Sequence, residues 1–365
     1  NYYTRGETML KKLKVALVGL DHPHAQQLLV DFSKHSDLFE FTGYSDVQLF
    51  EGSPKDKGEN IIPKDINIPY FENYVDLLDA KPDIALVCTD NASHGFITQE
   101  LMKRSIATVV EKPMAINLEQ GMIMYRAAKT YDTVLAINWP VTWHAAYRYA
   151  HELVQQGIIG TPLRFLYRNP DSLGPFSHSG KPYSNAFLAD TWWYKRERGG
   201  GAMLDYCGYG CMMATWFLNS HAISAYGVRA IQMDTFAEVE DYSTMTICFE
   251  KSIALLEGSW ATRSNGGIPT GPILFGTEGT LVTDRYSNLI KVYRTFHKNE
   301  PDEIYEAPPL STGIALEMYN CLVNGTELHP TLSKELNIKA LAILDAGIRS
   351  CESRKMEYVE NPFLM

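Results

Sequence analysis

Apolar runs and polar breaks alternate along the first third of the chain in a way that predicts strands and helices in turn. Lys14–Gly19 (KVALVG) is apolar after its first residue and closes on glycine. Ala25, Leu28, Leu29 and Phe32 follow at i, i+3, i+4 and i+7, one face of a helix. Phe39–Ser45 predicts a second strand, Tyr74–Leu78 a short helix and Ile84–Cys88 a third strand. Phe96–Met102 predicts a helix, and Ala107–Val110 and Val134–Ile137 two more strands. Near-continuous apolar strands separated by helices predict a parallel sheet covered on both faces. The polar stretch Gln48–Asn67 reads as a surface loop or irregular helix.

Beyond about Asn138 the pattern changes. Ala145–Gln156 is helical in spacing, Leu163–Arg168 strand-like, and the Gly/Pro/Ser-rich segment Asn169–Ser184 reads as a long loop, a type that often carries function. A helical block, Ala202–Leu218, precedes strand candidates at Ala225–Ile231, Tyr242–Phe249, Ser252–Trp260, Ile273–Phe275, Thr280–Thr283 and Leu289–Tyr293. Turns rich in Gly, Asn and Asp between them predict a mainly antiparallel sheet. Two helices, Ala315–Val323 and Leu336–Cys351, close the chain. The expected units are 1–138 and 139–365, since 365 residues exceed what one core usually serves.

Composition narrows the function. With 45 % hydrophobic and 21 % charged residues the chain has material for sizeable cores. A formal charge of −10 without a dense Lys/Arg stripe disfavours nucleic acid as a partner, although backbone amides readily hold a single dinucleotide. The short apolar run Val15–Leu20 predicts neither a membrane span nor an export signal, and residues before Met9 read as an appended tail. Six scattered cysteines suit a reducing cytoplasm. Cys207 and Cys211 share helical spacing, but nothing nearby completes a metal set, so no metal site is expected.

Candidate chemistry gathers at the carboxyl ends of the predicted parallel strands, where open α/β sheets bind ligands. The first βα turn reads Gly19-Leu20-Asp21-His22-Pro23-His24. Of the three glycines in a dinucleotide fingerprint only Gly19 is present, Pro23 removes an amide, and Asp21 adds negative charge near a diphosphate. His22 and His24 read as helix caps or phosphate contacts. Asp46, about 20 residues on, suits an adenosine ribose and favours NAD over NADP; a turn aspartate is the equal alternative. Thr89, Asp90, Asn91 and His94 follow the third strand, and Glu111-Lys112-Pro113 follow the fourth. Without further context Lys112 is a solvated loop cation, His94 a locally bonded helix-start residue, and Tyr209 a core aromatic. Trp139, Trp143, Trp192 and Trp193 either stack on a sugar or pack the core.

Three motifs in register resemble the Gfo/Idh/MocA family of glucose–fructose oxidoreductase and inositol dehydrogenases. Its Thr-Pro-Asn-x-x-His signature matches at Thr89, Asn91 and His94, with Asp90 replacing proline. Its Glu-Lys-Pro matches in full at Glu111, Lys112 and Pro113. Its Gly-Gly-Gly, Asp and His pattern matches Gly199, Gly200, Gly201 and Asp205, with Tyr209 in place of the histidine. The resemblance implies a Rossmann dinucleotide-binding domain followed by an α/β domain with a large open, mainly antiparallel sheet, which commonly forms a homodimer or homotetramer contact. It further implies hydride transfer between NAD, or alternatively NADP, and a sugar, polyol or related polyhydroxylated small molecule. Gly19, Leu20, Asp21, His22, Asp46, Thr89, Asn91, His94, Glu111 and Lys112 are the expected cofactor contacts. Lys112, Asp205 and Tyr209 are the expected catalytic group. Asp205 and Tyr209 share a helix face at i,i+4, Tyr209 exchanging the substrate proton and Lys112 favouring its phenolate. An NAD-recycling glycosidase and a sensor of dinucleotide or sugar that has lost catalysis are the alternatives.

Overall fold

A computed structural model describes residues 11–47, 61–170, 173–177 and 181–365. The tail before Met9, residues 48–60 of the expected polar loop, and five positions of the 169–184 loop lie outside the described residues.

The first unit runs β1 (Leu13–Val18), α1 (His24–Ser33), β2 (Phe39–Ser45), α2 (Tyr74–Asp79), β3 (Ile84–Val87), α3 (His94–Lys103), β4 (Ala107–Glu111), α4 (Leu118–Thr130) and β5 (Leu135–Asn138). Its five strands pair in parallel in the order β2-β1-β3-β4-β5. Every residue of β3, β4 and β5 is buried, as continuous apolar strands require when helices cover both faces. The strand order reverses between β1 and β3, so a crevice opens at their carboxyl ends.

The second unit begins with α5 (Ala145–Gln155), β6 (Pro162–Asn169), α6 (Asn185–Asp190) and α7 (Gly208–Leu218). There follow β7 (Ala222–Ala230), β8 (Tyr242–Phe249), β9 (Ile253–Ser259), β10 (Ile273–Gly276), β11 (Thr280–Val282), β12 (Leu289–Tyr293) and β13 (Glu303–Glu306). The chain closes with α8 (Ile314–Asn324), α9 (Lys334–Ser353) and β14 (Glu357–Tyr358). The nine strands form one sheet, β13-β12-β11-β10-β6-β9-β8-β7-β14, antiparallel except at β6–β9. Alternation along β8 and β9 buries Met245, Ile247, Ala254 and Leu256 beneath α7 and α9. The opposite face exposes Val228, Ile253 and Leu255.

The last helices tie the units together. Ile314, Ala315 and Met318 of α8 share a core with Leu28, Leu29 and Phe32 of α1 on one face of the parallel sheet. Leu341 and Leu344 of α9 join the core that runs from the other face of that sheet into the second unit. At β5 the indole Nε1 of Trp139 donates to Asn337 Oδ1 of α9 at 2.6 Å.

Candidate active site at the strand carboxyl ends

Of the expected residues, Gly19, His22, Thr89, Asn91, His94, Glu111, Lys112, Asp205 and Tyr209 are buried, while Leu20, Asp21 and Asp46 are half-buried. Gly19 ends β1 with φ +86°, and the backbone and methyl of Thr89 press against the face where a Cβ would stand, so only glycine fits. The turn differs from a glycine-rich one in where its amides point. Gly19 N donates to Ser45 O at 2.8 Å, Asp21 N and His22 N both donate to Cys88 O at 2.9 and 3.1 Å, and His24 N reaches His22 Nδ1 at 3.3 Å. The backbone amides of Asp21 and His22 therefore turn inward onto the end of β3. The N-cap of α1 is Pro23, without a side-chain cap bond, so His22 touches the helix start only through that long bond from the His24 amide. Asp46 directly follows β2 and is half-buried.

Beyond β3, Asp90 Oδ1 caps the turn Asn91–Ser93 by accepting the Ser93 amide at 2.8 Å. Its Oδ2 accepts Arg198 Nε at 2.6 Å and also Arg198 Nη2. Asn91 Nδ2 donates to Gly199 O at 2.7 Å. The proline of the family pattern is thus replaced by an anchor that holds the glycine segment of the second unit against the first. Gly199, with φ +80°, has Ile116 and Asn91 packed where a side chain would begin. His94 is buried; its Nδ1 donates to Pro113 O at 3.1 Å, and burial holds the ring below its usual pKa. Asn91 Oδ1 and His94 Nε2 are buried without a hydrogen-bond partner of good geometry.

Lys112 is 2 % exposed and Asp205 6 %, so the ion pair between Lys112 Nζ and Asp205 Oδ1 is shielded from water. The other carboxylate oxygen, Oδ2, accepts Trp260 Nε1 at 3.0 Å. The Lys112 ammonium also stands over the Tyr209 ring, 4.7 Å from its centre. Asp205 sits in a π-helical turn, Met203–Cys207, that leads into α7; such turns are frequent at functional sites. The wider turn replaces the regular helix expected there and still presents Asp205 and Tyr209 to the same ammonium. Trp139 meets the Tyr209 ring edge-on at 5.1 Å.

One sequence expectation needs correction. Burial, and then the charge of Asp205, push the Tyr209 phenol well above its ordinary pKa. The cation that opposes that shift is Arg285. Tyr209 therefore stays protonated at neutral pH.

Arg198 and Trp260 were not among the sequence candidates, and no role was read for Asp90. Asp90 was visible only as a departure from the family pattern, and Arg198 as a cation next to the triple glycine. Of the four tryptophans, Trp192 and Trp193 stack on each other at 3.8 Å and are buried, and Trp192 Nε1 donates to Asp21 O at 3.0 Å. They pack a small core with Tyr194 and Trp260 and wall the first turn as well.

A doubly wound parallel sheet with polar groups at its switch point defines a nucleotide-binding class of protein. Residues 13–139 match the model of an oxidoreductase family with an NAD-binding Rossmann fold, and residues 147–282 match the GFO/IDH/MocA C-terminal domain. The chain belongs to the Gfo/Idh/MocA family of NAD(P)-binding oxidoreductases. Among curated relatives, the NADP-dependent D-xylose 1-dehydrogenase of Haloarcula marismortui is 26 % identical over 163 residues, 44 % of this chain and 42 % of that protein. The 1,5-anhydro-D-fructose reductase of Ensifer adhaerens is 26 % identical over 206 residues, 56 % and 57 % respectively. The chain thus spans about half the length of the curated relatives it matches. The WlbA dehydrogenase of Bordetella pertussis, solved with NADH and UDP-GlcNAcA, superposes with a TM-score of 0.75 at 18 % identity, over 96 % of this chain and 98 % of that one. The aldose–aldose oxidoreductase of Caulobacter crescentus, solved with glycerol, gives 0.74 at 17 %, over 95 % and 100 %. At such identities the likeness is one of fold.

The residues present fit a dinucleotide at the nicotinamide end. Two buried polar atoms there, Asn91 Oδ1 and His94 Nε2, lack partners, and His94 is tied through its Nδ1 to Pro113 O, next to Lys112 in the chain. Asp46 fits the ribose end by its place after β2.

Proposed function

We propose that this chain is an NAD(P)-dependent dehydrogenase or reductase that acts on a CH–OH or carbonyl group of a sugar, polyol or related polyhydroxylated small molecule. The observation that carries the reading is the single ammonium, Lys112, shared between the Asp205 carboxylate and the Tyr209 ring. When bound, the nicotinamide supplies or accepts the hydride. Thr89, Asn91 and His94 would hold it, with Asp46 at the adenosine end.

The chain's own groups manage the proton. Tyr209, kept neutral by burial, donates its phenolic proton to the substrate oxygen as a carbonyl is reduced. Lys112 polarises the same oxygen, and the buried setting strengthens that field. Asp205, oriented by Trp260, fixes the ammonium. The half-exposed apolar face of Val228, Ile253 and Leu255 supports assembly into a homodimer or homotetramer through the large sheet. Six free thiols support a reducing, cytoplasmic setting. Among the described residues no helix is long and apolar enough to cross a membrane.

A polyol and aldose panel with NAD(H) and NADP(H), followed by the absorbance of reduced nicotinamide, tests the reading. Turnover that is lost in Tyr209→Phe supports it; no turnover with any combination refutes it. A second reading, a dinucleotide or sugar sensor without catalysis, is favoured by the inward amides of the first turn. A partner whose capture responds to dinucleotide, in a chain inert on the whole panel, supports that alternative.

A further inference from the structure

We propose that His22, His24 and Glu111 form a binding site for one divalent transition-metal ion at the carboxyl ends of β1 and β4. Among the described residues these are the group whose ligand atoms all lie within 4.8 Å of one another. The chain brings them together from separate elements: the two imidazoles lie in the first βα turn, and the carboxylate ends β4.

Three features make this a built site. His24 Nδ1 and Glu111 Oε2 are 2.9 Å apart, close to the roughly 3.0–3.4 Å that separates two ligands each about 2.1 Å from a shared ion. Glu111 is fully buried, and its other oxygen is fixed by Asn138 Nδ2 at 2.7 Å; Trp143 Nε1 in turn holds Asn138 Oδ1 at 3.3 Å. This chain of bonds is the kind of outer support that orients a metal-binding carboxylate. Finally, His22 is 1 % exposed, its Nε2 has no partner, and its Nδ1 has only the long 3.3 Å bond from the His24 amide. A buried imidazole so weakly held can turn a ring nitrogen to an ion with little loss.

A buried carboxylate needs positive charge near it. The local partner is one imidazole, and a divalent ion meets the need more fully. Two imidazoles and one carboxylate suit Zn²⁺, Fe²⁺ or Mn²⁺ and leave coordination positions for oxygen donors such as water, hydroxyls or a diphosphate. The side chain of His24 is 20 % exposed, which gives the ion a way in. The site stands whether or not the chain transfers hydride, so the two proposals fail separately.

The test strips the full chain with a chelator and titrates it calorimetrically with Zn²⁺, then records the visible spectrum with Co²⁺. One equivalent is expected to bind, with d–d bands of nitrogen and oxygen ligands and a raised melting temperature. His22→Gln and His24→Gln should each weaken binding at least 10-fold, and Asn138→Ala about 10–100-fold through the carboxylate it holds. His24→Gln is the decisive variant, since glutamine keeps an N–H that can hold the buried Glu111 carboxylate; circular dichroism checks the fold. Absence of binding, equal binding by His24→Gln, or a thiolate charge-transfer band marking cysteine ligands overturns the proposal.

Discussion

Arg198 and Asp90 bond through a buried guanidinium–carboxylate contact, Nε to Oδ2 at 2.6 Å, with side chains 6 % and 1 % exposed. The pair joins the end of β3 to the segment that carries Gly199, and so sets how the Asp205 turn meets Lys112. Removing one partner leaves the other charged and buried. Arg198→Ala is expected to lose about 3–5 kcal/mol of stability in urea unfolding. Arg198→Met with Asp90→Asn should lose less than the sum of the two single changes, because neither then strands a charge. An additive double variant contradicts the pairing.

Tyr209→Phe removes the hydroxyl and keeps the ring over which Lys112 lies. The variant should fold like the parent, with kcat for carbonyl reduction lowered about 10²–10⁴-fold and KM little changed. Unchanged kcat would remove Tyr209 from the chemistry.

Trp260→Phe frees Asp205 Oδ2 and with it the direction of the ammonium. As a positioning change it should lower kcat by about 10-fold or more while KM holds. Trp260→His, able to restore an N–H, should recover part of the loss. Equal kcat in all three forms contradicts the role.

The pH dependence of stability is set in part around Trp216. Its ring stacks on His151 at 4.2 Å and meets His329 edge-on at 5.3 Å. Burial holds His151 down to about 4 and His329 down to about 3. In the unfolded chain both titrate near pH 6.5, as free imidazoles do. Between that value and the folded ones the unfolded state carries more protons, so stability falls as pH falls; above about pH 6.5 the contribution is complete. Thermal melts should show a declining Tm from pH 7 to 5, and His151→Gln with His329→Gln should flatten that decline.

Leu255 faces outward on β9, with Thr246 of β8 and Leu166 of β6 as its register partners. Leu255→Arg should shift the chain to a smaller species in sedimentation and leave its circular dichroism unchanged. An unchanged sedimentation coefficient argues against assembly through this face.

The parallel sheet was legible because continuous apolar strands such as Ile84–Val87 and Val109–Val110 leave little choice of environment. The helix Leu118–Thr130 was not read, since its buried face is made in part of the small residues Gly121, Ala127 and Ala128, which weaken its apolar stripe. Asn117, whose side chain accepts the Gln120 amide at 2.9 Å, was the usable signal. The strands β13 and β14 are four and two residues long, too short for a period to show. At the site, Lys112, Asp205 and Tyr209 were legible through motif spacing. The links of Asp90 to Arg198 and of His24 to Glu111 were not, because they join residues 108 and 87 positions apart that no local pattern couples. The state of Tyr209 was misread for the same reason: Arg285 and the burial that govern it come from tertiary packing.

A crystal structure with NAD bound tests the central claim most directly. With a substrate also bound, the account predicts the nicotinamide ring at the carboxyl end of β4, with Lys112 Nζ and the Tyr209 hydroxyl both facing one substrate oxygen whose carbon stands about 3–3.5 Å from nicotinamide C4. A ring seated away from Lys112, or a crevice that takes no dinucleotide at saturating concentration, contradicts it.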